Sequence, residues 1–229
     1  MAKSDVFNKK HEDTLAHDKR AILEEMNLPP ALITFIRSNS KNIKIVIAVL
    51  FVGLLAWEGF AKYSSVQREK SSTMLYDAIS ADDTAVQAEQ LKELADKYAS
   101  SGSAVWAQVE LGHLALKDGK YQEAAGFYAS ALDNLSSKNP LYPLVQFSLA
   151  QAYENLADTV KAKQIYKELI EIPGFASEGH LGLGRIAEEA GDFKQALTQY
   201  QGYVNLPDVG PGPTKDWVEG RISQLKGVQ

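Results

Sequence analysis

The sequence predicts an all-α protein: one N-terminal helix that crosses a membrane, then an α-solenoid of helix hairpins closed by a C-terminal capping helix. Three observations carry this. Ile45–Trp57 is a run of thirteen residues with no charge and no strongly polar side chain. After Tyr63, apolar residues recur with the period of a helix face. From Ala104 a pattern of small and aromatic residues repeats three times, the mark of stacked supersecondary units.

The apolar run sets the N-terminal organisation. Thirteen helical residues cover only about 20 Å, and a bilayer core needs about 20 residues. The run lengthens to residues 43–63, where Lys44 can snorkel to head groups. Trp57, Phe60 and Tyr63 suit the opposite interface. Lys44, Ile45, Val49, Phe51, Leu54 and Trp57 are the expected anchor residues. A signal-peptide core would begin within about the first 15–30 residues and be followed by a small-residue cleavage site; here 42 residues precede it and no such site follows Trp57. Residues 1–44 carry eight Lys/Arg against six Asp/Glu, while residues 59–229 carry sixteen against 22. The positive-inside rule therefore places the N-terminus in the cytoplasm. The acidic balance beyond the helix argues against nucleic-acid binding. The chain has no cysteine, which excludes disulfides, thiolate metal sites and cysteine nucleophiles.

Residues 1–10 are polar. His11 to Met26 reads as a short charged helix, and His11 and His17 are six apart, the wrong spacing for two metal ligands on one face. Pro29-Pro30 ends it, and Ala31–Ile36 reads as an interfacial segment leading into the membrane. Beyond the anchor, Ser64 to Ala81 carries Leu75, Ala78 and Ile79 on one face. Asp82-Asp83-Thr84 is a cap cluster, and Val86, Leu91, Leu94, Ala95 and Tyr98 form the next apolar stripe. Ser100–Ser103 breaks the chain.

The repeats follow. Gly112, Ala150 and Gly184 are 38 and 34 residues apart, and Ala124, Ala162 and Ala196 keep the same spacings. Small residues at these points let two antiparallel helices cross closely. Tyr128, Tyr166 and Tyr200, four places after the second small residue, are expected to fill the space against the neighbouring unit. Repeat two departs from the others, with Asp158-Thr159 set against Gly119-Lys120 and Gly191-Asp192. Pro207–Pro213 reads as a loop, and Thr214 as the cap of a last helix with Trp217, Ile222 and Leu225 inward.

This pattern resembles the tetratricopeptide repeat, with its L-G, G-x-Y/F, A-x3-F/Y and A positions. The resemblance implies that the first helix of each pair lines a concave groove. Its exposed positions would be Trp106, Val109, His113 and Leu116, then Phe147, Gln151 and Glu154, then Leu181, Arg185 and Glu188. His113, Gln151 and Arg185 would stack as a polar ridge flanked by Trp106 and Phe147, a surface suited to peptide or protein partners.

No enzyme signature stands beside the groove. Gly179-x-x-Gly182-x-Gly184 has no preceding strand, so it makes a poor phosphate loop. His113 and His180 have no serine or carboxylate at a triad spacing. The expectation is a non-catalytic protein with no cofactor, metal or small-molecule substrate.

The segment Phe35-Ile-Arg-Ser-Asn-Ser-Lys41, one membrane helix ending near Trp57 and a divergent repeat domain together resemble the YfgM family. That resemblance implies a bacterial inner-membrane protein with residues 1–42 cytoplasmic, 43–63 spanning and 64–229 a tetratricopeptide-repeat-like domain in the periplasm. It implies partners too: the SecYEG translocon, a PpiD-like periplasmic chaperone and unfolded secreted chains. The alternative is a scaffold subunit of another envelope complex, held through its membrane helix and N-terminal segment.

Overall fold

The computed structural model describes residues 29–227. The charged helix expected over His11–Met26, and the His11/His17 pair, lie outside the described residues. Those described form ten α-helices and no strand. They are α1 (Pro30–Ser38), α2 (Ser40–Ile79), α3 (Thr84–Lys97), α4 (Gly102–Lys117), α5 (Tyr121–Asp133), α6 (Leu141–Asn155), α7 (Thr159–Ile170), α8 (Ala176–Glu189), α9 (Phe193–Val204) and α10 (Pro213–Lys226).

The described residues up to Ser64 belong to one compact unit, and those from Ser65 onward to another. In the first, α1 begins with Pro30 in its first turn, where the missing N–H costs nothing. Asn39 ends it. α2 is 40 residues long and contains a stretch of mean hydropathy 2.1, none of it buried. It is the one helix among the described residues long and apolar enough to cross a membrane. No break falls at Tyr63, where the anchor was expected to end. Ser64-Ser65 carries no proline or glycine, so nothing stops the hydrogen-bond ladder before Ile79. Forty residues make about 60 Å of helix, about twice the thickness of a bilayer core.

In the second unit α3 to α9 run as a chain of antiparallel neighbours, with α4–α5, α6–α7 and α8–α9 as the three hairpins and α10 packed on α9. The end of α2 joins through Ala78, which packs with Leu91, Leu94 and Ala95 of α3. Ile79 and Val86, expected to face inward, are exposed. Side-chain caps start four helices. Asp83 accepts from Ala85 and Val86, Ser101 from Ala104, Asp158 from Lys161 and Asp192 from Gln195. Thr214 is not such a cap: α10 begins at Pro213 after an uncapped Gly212.

The repeat register is set by steric fit. Ala124, Ala162 and Ala196 are fully buried, as are Tyr128, Tyr166 and Tyr200. A Cβ added to Gly112 would strike the Tyr128 ring, and one added to Gly184 would strike Tyr200. These tyrosines therefore fill their own hairpin, and they also pack against the next first helix as expected: Tyr128 lies with Val145 and Leu149, and Tyr200 with Val218 and Leu225. Tyr166 reaches forward as well, because a Cβ at Gly182 would strike its ring. Gly179 packs against the backbone of Tyr166. The glycine-rich run 179–184 is thus a surface for close helix contact, not a phosphate loop.

The turn after each first helix needs a left-handed residue. Gly119 and Gly191 take it at φ 72°, and in repeat two Ala157 takes it at φ 58°. Ala157 is the counterpart of the glycines, so Asp158 aligns with Lys120 and Asp192, one place away from the alignment the sequence suggests. A non-glycine residue there is strained by about 1–2 kcal/mol. Ala157→Gly should therefore raise unfolding stability by about 1 kcal/mol once glycine's greater unfolded-state entropy is set against it. Denaturant melting of the full chain in detergent checks this.

Candidate functional site

The side chains predicted to line a groove separate into three kinds. Val109 does not line it: it is 4% exposed and packs with Val105, Tyr128, Val145 and Leu149. The hairpin behind it leaves it no open side. Trp106 stands 45% exposed, and Leu144, six residues before Ala150 as Trp106 is before Gly112, is 51% exposed. Leu144 was missed in the sequence because it falls outside the apolar stripe that packs α6; only the repeat register points to it. Phe147 is half-buried against the core, with its ring 6.5 Å from that of Tyr166.

The polar positions do not form one free ridge. His113 is exposed, with its ring edge-on to Tyr128 at 5.7 Å. Gln151 is half-buried. Arg185 is committed: its Nε and Nη2 donate to the two oxygens of Glu154 at 2.8 and 2.9 Å. Glu154 also accepts from the Tyr166 hydroxyl, and Arg185 donates to that same hydroxyl at 3.2 Å. The group is a closed rung that joins hairpin two to hairpin three. Burial, then the bond to Glu154, pushes the Tyr166 hydroxyl well above its ordinary range, so it stays a donor. The bonds to Glu154 hold Arg185 firmly charged.

The same rung recurs one hairpin on. Tyr200 donates to Glu188 at 3.0 Å, and Arg221 of α10 pairs with the other oxygen of Glu188. The bond from Arg221, helped by that from Tyr200, holds the Glu188 carboxyl below the usual carboxylate range. At the first junction the rung is absent. Leu116 stands where Glu154 and Glu188 stand, and Gln151 where Arg185 stands. The Tyr128 hydroxyl is buried and finds no hydrogen-bond partner among the described residues. Its burial raises its pKa strongly, and Ser148, a polar neighbour, donates its own proton to the Leu144 carbonyl.

This architecture defines the class: a solenoid of close-packed helix hairpins that follows one apolar helix in the chain. The chain belongs to the tetratricopeptide repeat-like domain family, whose sequence profile matches residues 34–208. No curated protein matches the sequence. Among solved structures, two forms of a putative kinesin light chain of Podosopora anserina with nearly identical TPR-like repeats are similar. The form in which one glutamine is replaced by methionine has a TM-score of 0.53 at 17% identity, covering 72% of this chain and 87% of that one. The other has a TM-score of 0.51 at 17% identity with the same coverage. At that identity the likeness is one of fold. Repeat domains of this kind serve protein–protein interaction.

The rungs make the three tyrosines unequal. Tyr128→Phe removes a buried hydroxyl that reaches no carboxylate and has only Ser148 as a polar neighbour, so it should change stability by less than about 1 kcal/mol, whereas Tyr166→Phe and Tyr200→Phe each take a donor from a carboxylate and should cost about 1–2 kcal/mol. Denaturant unfolding of the three variants separates these cases. A second expectation concerns pH. A carboxyl whose folded pKa is depressed stabilises above its unfolded pKa, about 4.3 for Glu, and loses that contribution as pH falls through the folded value. Protection of the α10 amides, taken as the exchange rate relative to the intrinsic rate at each pH, should therefore fall below about pH 4, and Glu188→Gln should flatten that dependence.

Proposed function

We propose that this chain is a membrane-tethered, non-catalytic adaptor. Its repeat domain holds partner proteins or emerging secreted chains beside the Sec translocon, on the periplasmic side of a bacterial inner membrane. The observation that carries the reading is the pair Trp106 and Leu144. Two large apolar side chains are exposed at the same repeat position of adjacent first helices. Phe147, His113 and Gln151 complete the surface. Glu154 and Arg185 shape it through their rung, and Val109 supports it from below.

The apolar segment of α2 supports the tether, with residues 43–63 as the span and Lys44, Ile45, Val49, Phe51, Leu54 and Trp57 as its anchor. Residues 1–42 are then cytoplasmic and residues 64–229 form the repeat domain. A tether raises the effective concentration of the groove for chains that emerge at the same membrane, so modest intrinsic affinity is enough. The layout resembles the YfgM family, so the partners named by this reading are SecYEG and a PpiD-like periplasmic chaperone.

A photoreactive residue at Leu144 in the full chain, activated in intact bacterial membranes, tests it. Recovery of translocon subunits or a periplasmic chaperone is expected, reduced at least fivefold by Trp106→Ala. That substitution should leave the melting temperature nearly unchanged, because the side chain is half-exposed. Recovery that Trp106→Ala does not alter, or that depends on residues 1–28 instead, overturns the groove and favours the scaffold.

A further inference from the structure

α10 occupies the place of a first helix, not of a simple cap. Its Gly220-Arg221 pair stands as Gly184-Arg185 stands in α8. Arg221 reaches back to Glu188 and Tyr200 as Arg185 reaches back to Glu154 and Tyr166. Val218, two residues before Gly220, is fully buried in the cluster that contains Tyr200. Gly182, two before Gly184, lies against Tyr166 in the same way. The face that looks back along the solenoid is therefore complete.

The face that looks onward is open. In hairpins one and three the glycine is filled by the tyrosine of the second helix. At Gly220 an added Cβ would meet nothing within 4 Å. Instead a cavity of about 430 Å³ lies there, lined by Glu188, Asp216, Trp217, Gly220, Arg221 and Gln224. Trp217 is 52% exposed, contrary to the inward position its sequence suggests, and touches Tyr200 only by its edge at 5.9 Å. Gln224 stands four residues after Gly220, where Glu154 and Glu188 receive a tyrosine hydroxyl from the second helix. Among the described residues no helix packs on this side.

We infer that the Gly220 face of α10 is an acceptor site for a helix of another polypeptide, one carrying a small residue and, four places later, a tyrosine that seats on Gly220 with its hydroxyl at Gln224. The chain itself supplies the argument for this occupant. Helices of the form Ala-x3-Tyr, in α5, α7 and α9, cover the corresponding surface of each preceding first helix. The lining also sets the charge. Glu188 is neutralised by Arg221, while Asp216 has no ion-pair partner among the described residues, so the site favours a lysine or arginine beside the tyrosine. This surface is separate from that of Trp106 and Leu144.

The test uses the full chain in nanodiscs and a fluorescein-labelled, stapled peptide of residues 192–204, the chain's own α9 with Ala196 and Tyr200. Anisotropy should show saturable binding absent with empty discs. Gly220→Leu should weaken it at least tenfold, and a Tyr200→Ala peptide should bind at least tenfold more weakly. Gly220→Leu places its Cβ where no atom lies within 4 Å, and an unchanged melting temperature shows that the fold persists. Lack of binding overturns the inference. Equal binding by Gly220→Leu also overturns it, since the peptide would then be replacing α9 within hairpin three. A dimer of the chain that Gly220→Leu dissociates would overturn it in favour of self-association.

Discussion

The fold depends on how closely two helices of a hairpin can approach at one residue. Gly112, Ala150 and Gly184 set that distance, and the facing tyrosine rings fill what remains. Burying an aromatic ring of this size removes roughly 150–250 Å² from water. At about 25 cal/mol per Å² that is about 4–6 kcal/mol per tyrosine before ordering is counted. Once the ring is seated, the hydroxyl has only one place to point. It emerges where the first helix of its own hairpin and that of the next come together. The position of the small residue thus fixes the hydroxyl, and the hydroxyl fixes where a carboxylate and an arginine can join neighbouring hairpins.

Those rungs serve geometry more than energy. Bringing a carboxylate and a guanidinium together in a half-buried place costs much of what their attraction returns. A rung does demand one register, because Glu154 must meet Tyr166 and Arg185 at once. Hairpins two and three and α10 are tied in this way. Hairpin one meets hairpin two through Leu116, Val145 and Leu149 instead, a contact that is apolar and non-directional. Packing of that kind tolerates small shifts better than a three-membered polar group does. Polar rungs thus mark the two C-terminal junctions, and apolar packing takes their place where hairpin one meets hairpin two.

Much of this was legible in the sequence, and the failures have physical causes. The all-α class, the three hairpins and the apolar helix follow from period and spacing, and all are present. The spacing located the tyrosines and their contact with the next hairpin, but not that Tyr128 and Tyr200 also seat on the glycine of their own, because a first helix in a solenoid has two buried faces and a period cannot say which partner covers each. Val109 was misplaced for the same reason. Glu154 was read as a groove residue because a charged side chain on a helix is usually solvated; the tyrosine that turns it inward lies twelve residues on. Ala157 hid the turn of repeat two, since the expected glycine is missing although the left-handed backbone is kept. The helical period read on both sides of Ser64 is carried by one helix, because no proline or glycine there interrupts the hydrogen-bond ladder.

The C-terminal helix shows what a repeat register adds to periodicity. A helix that only closes a solenoid should turn a polar, crowded face outward. α10 turns out Gly220 and Trp217 beside a cavity, the two residue types least suited to that task. Glycine within a helix costs about 1 kcal/mol relative to alanine, and at Gly220 no contact among the described residues repays it. At Gly112 and Gly184 the same cost is offset by a seated ring. The series small residue, next-residue cation, polar group four places on therefore continues into α10 with one member missing. What would complete it is the same kind of surface that completes each hairpin before it.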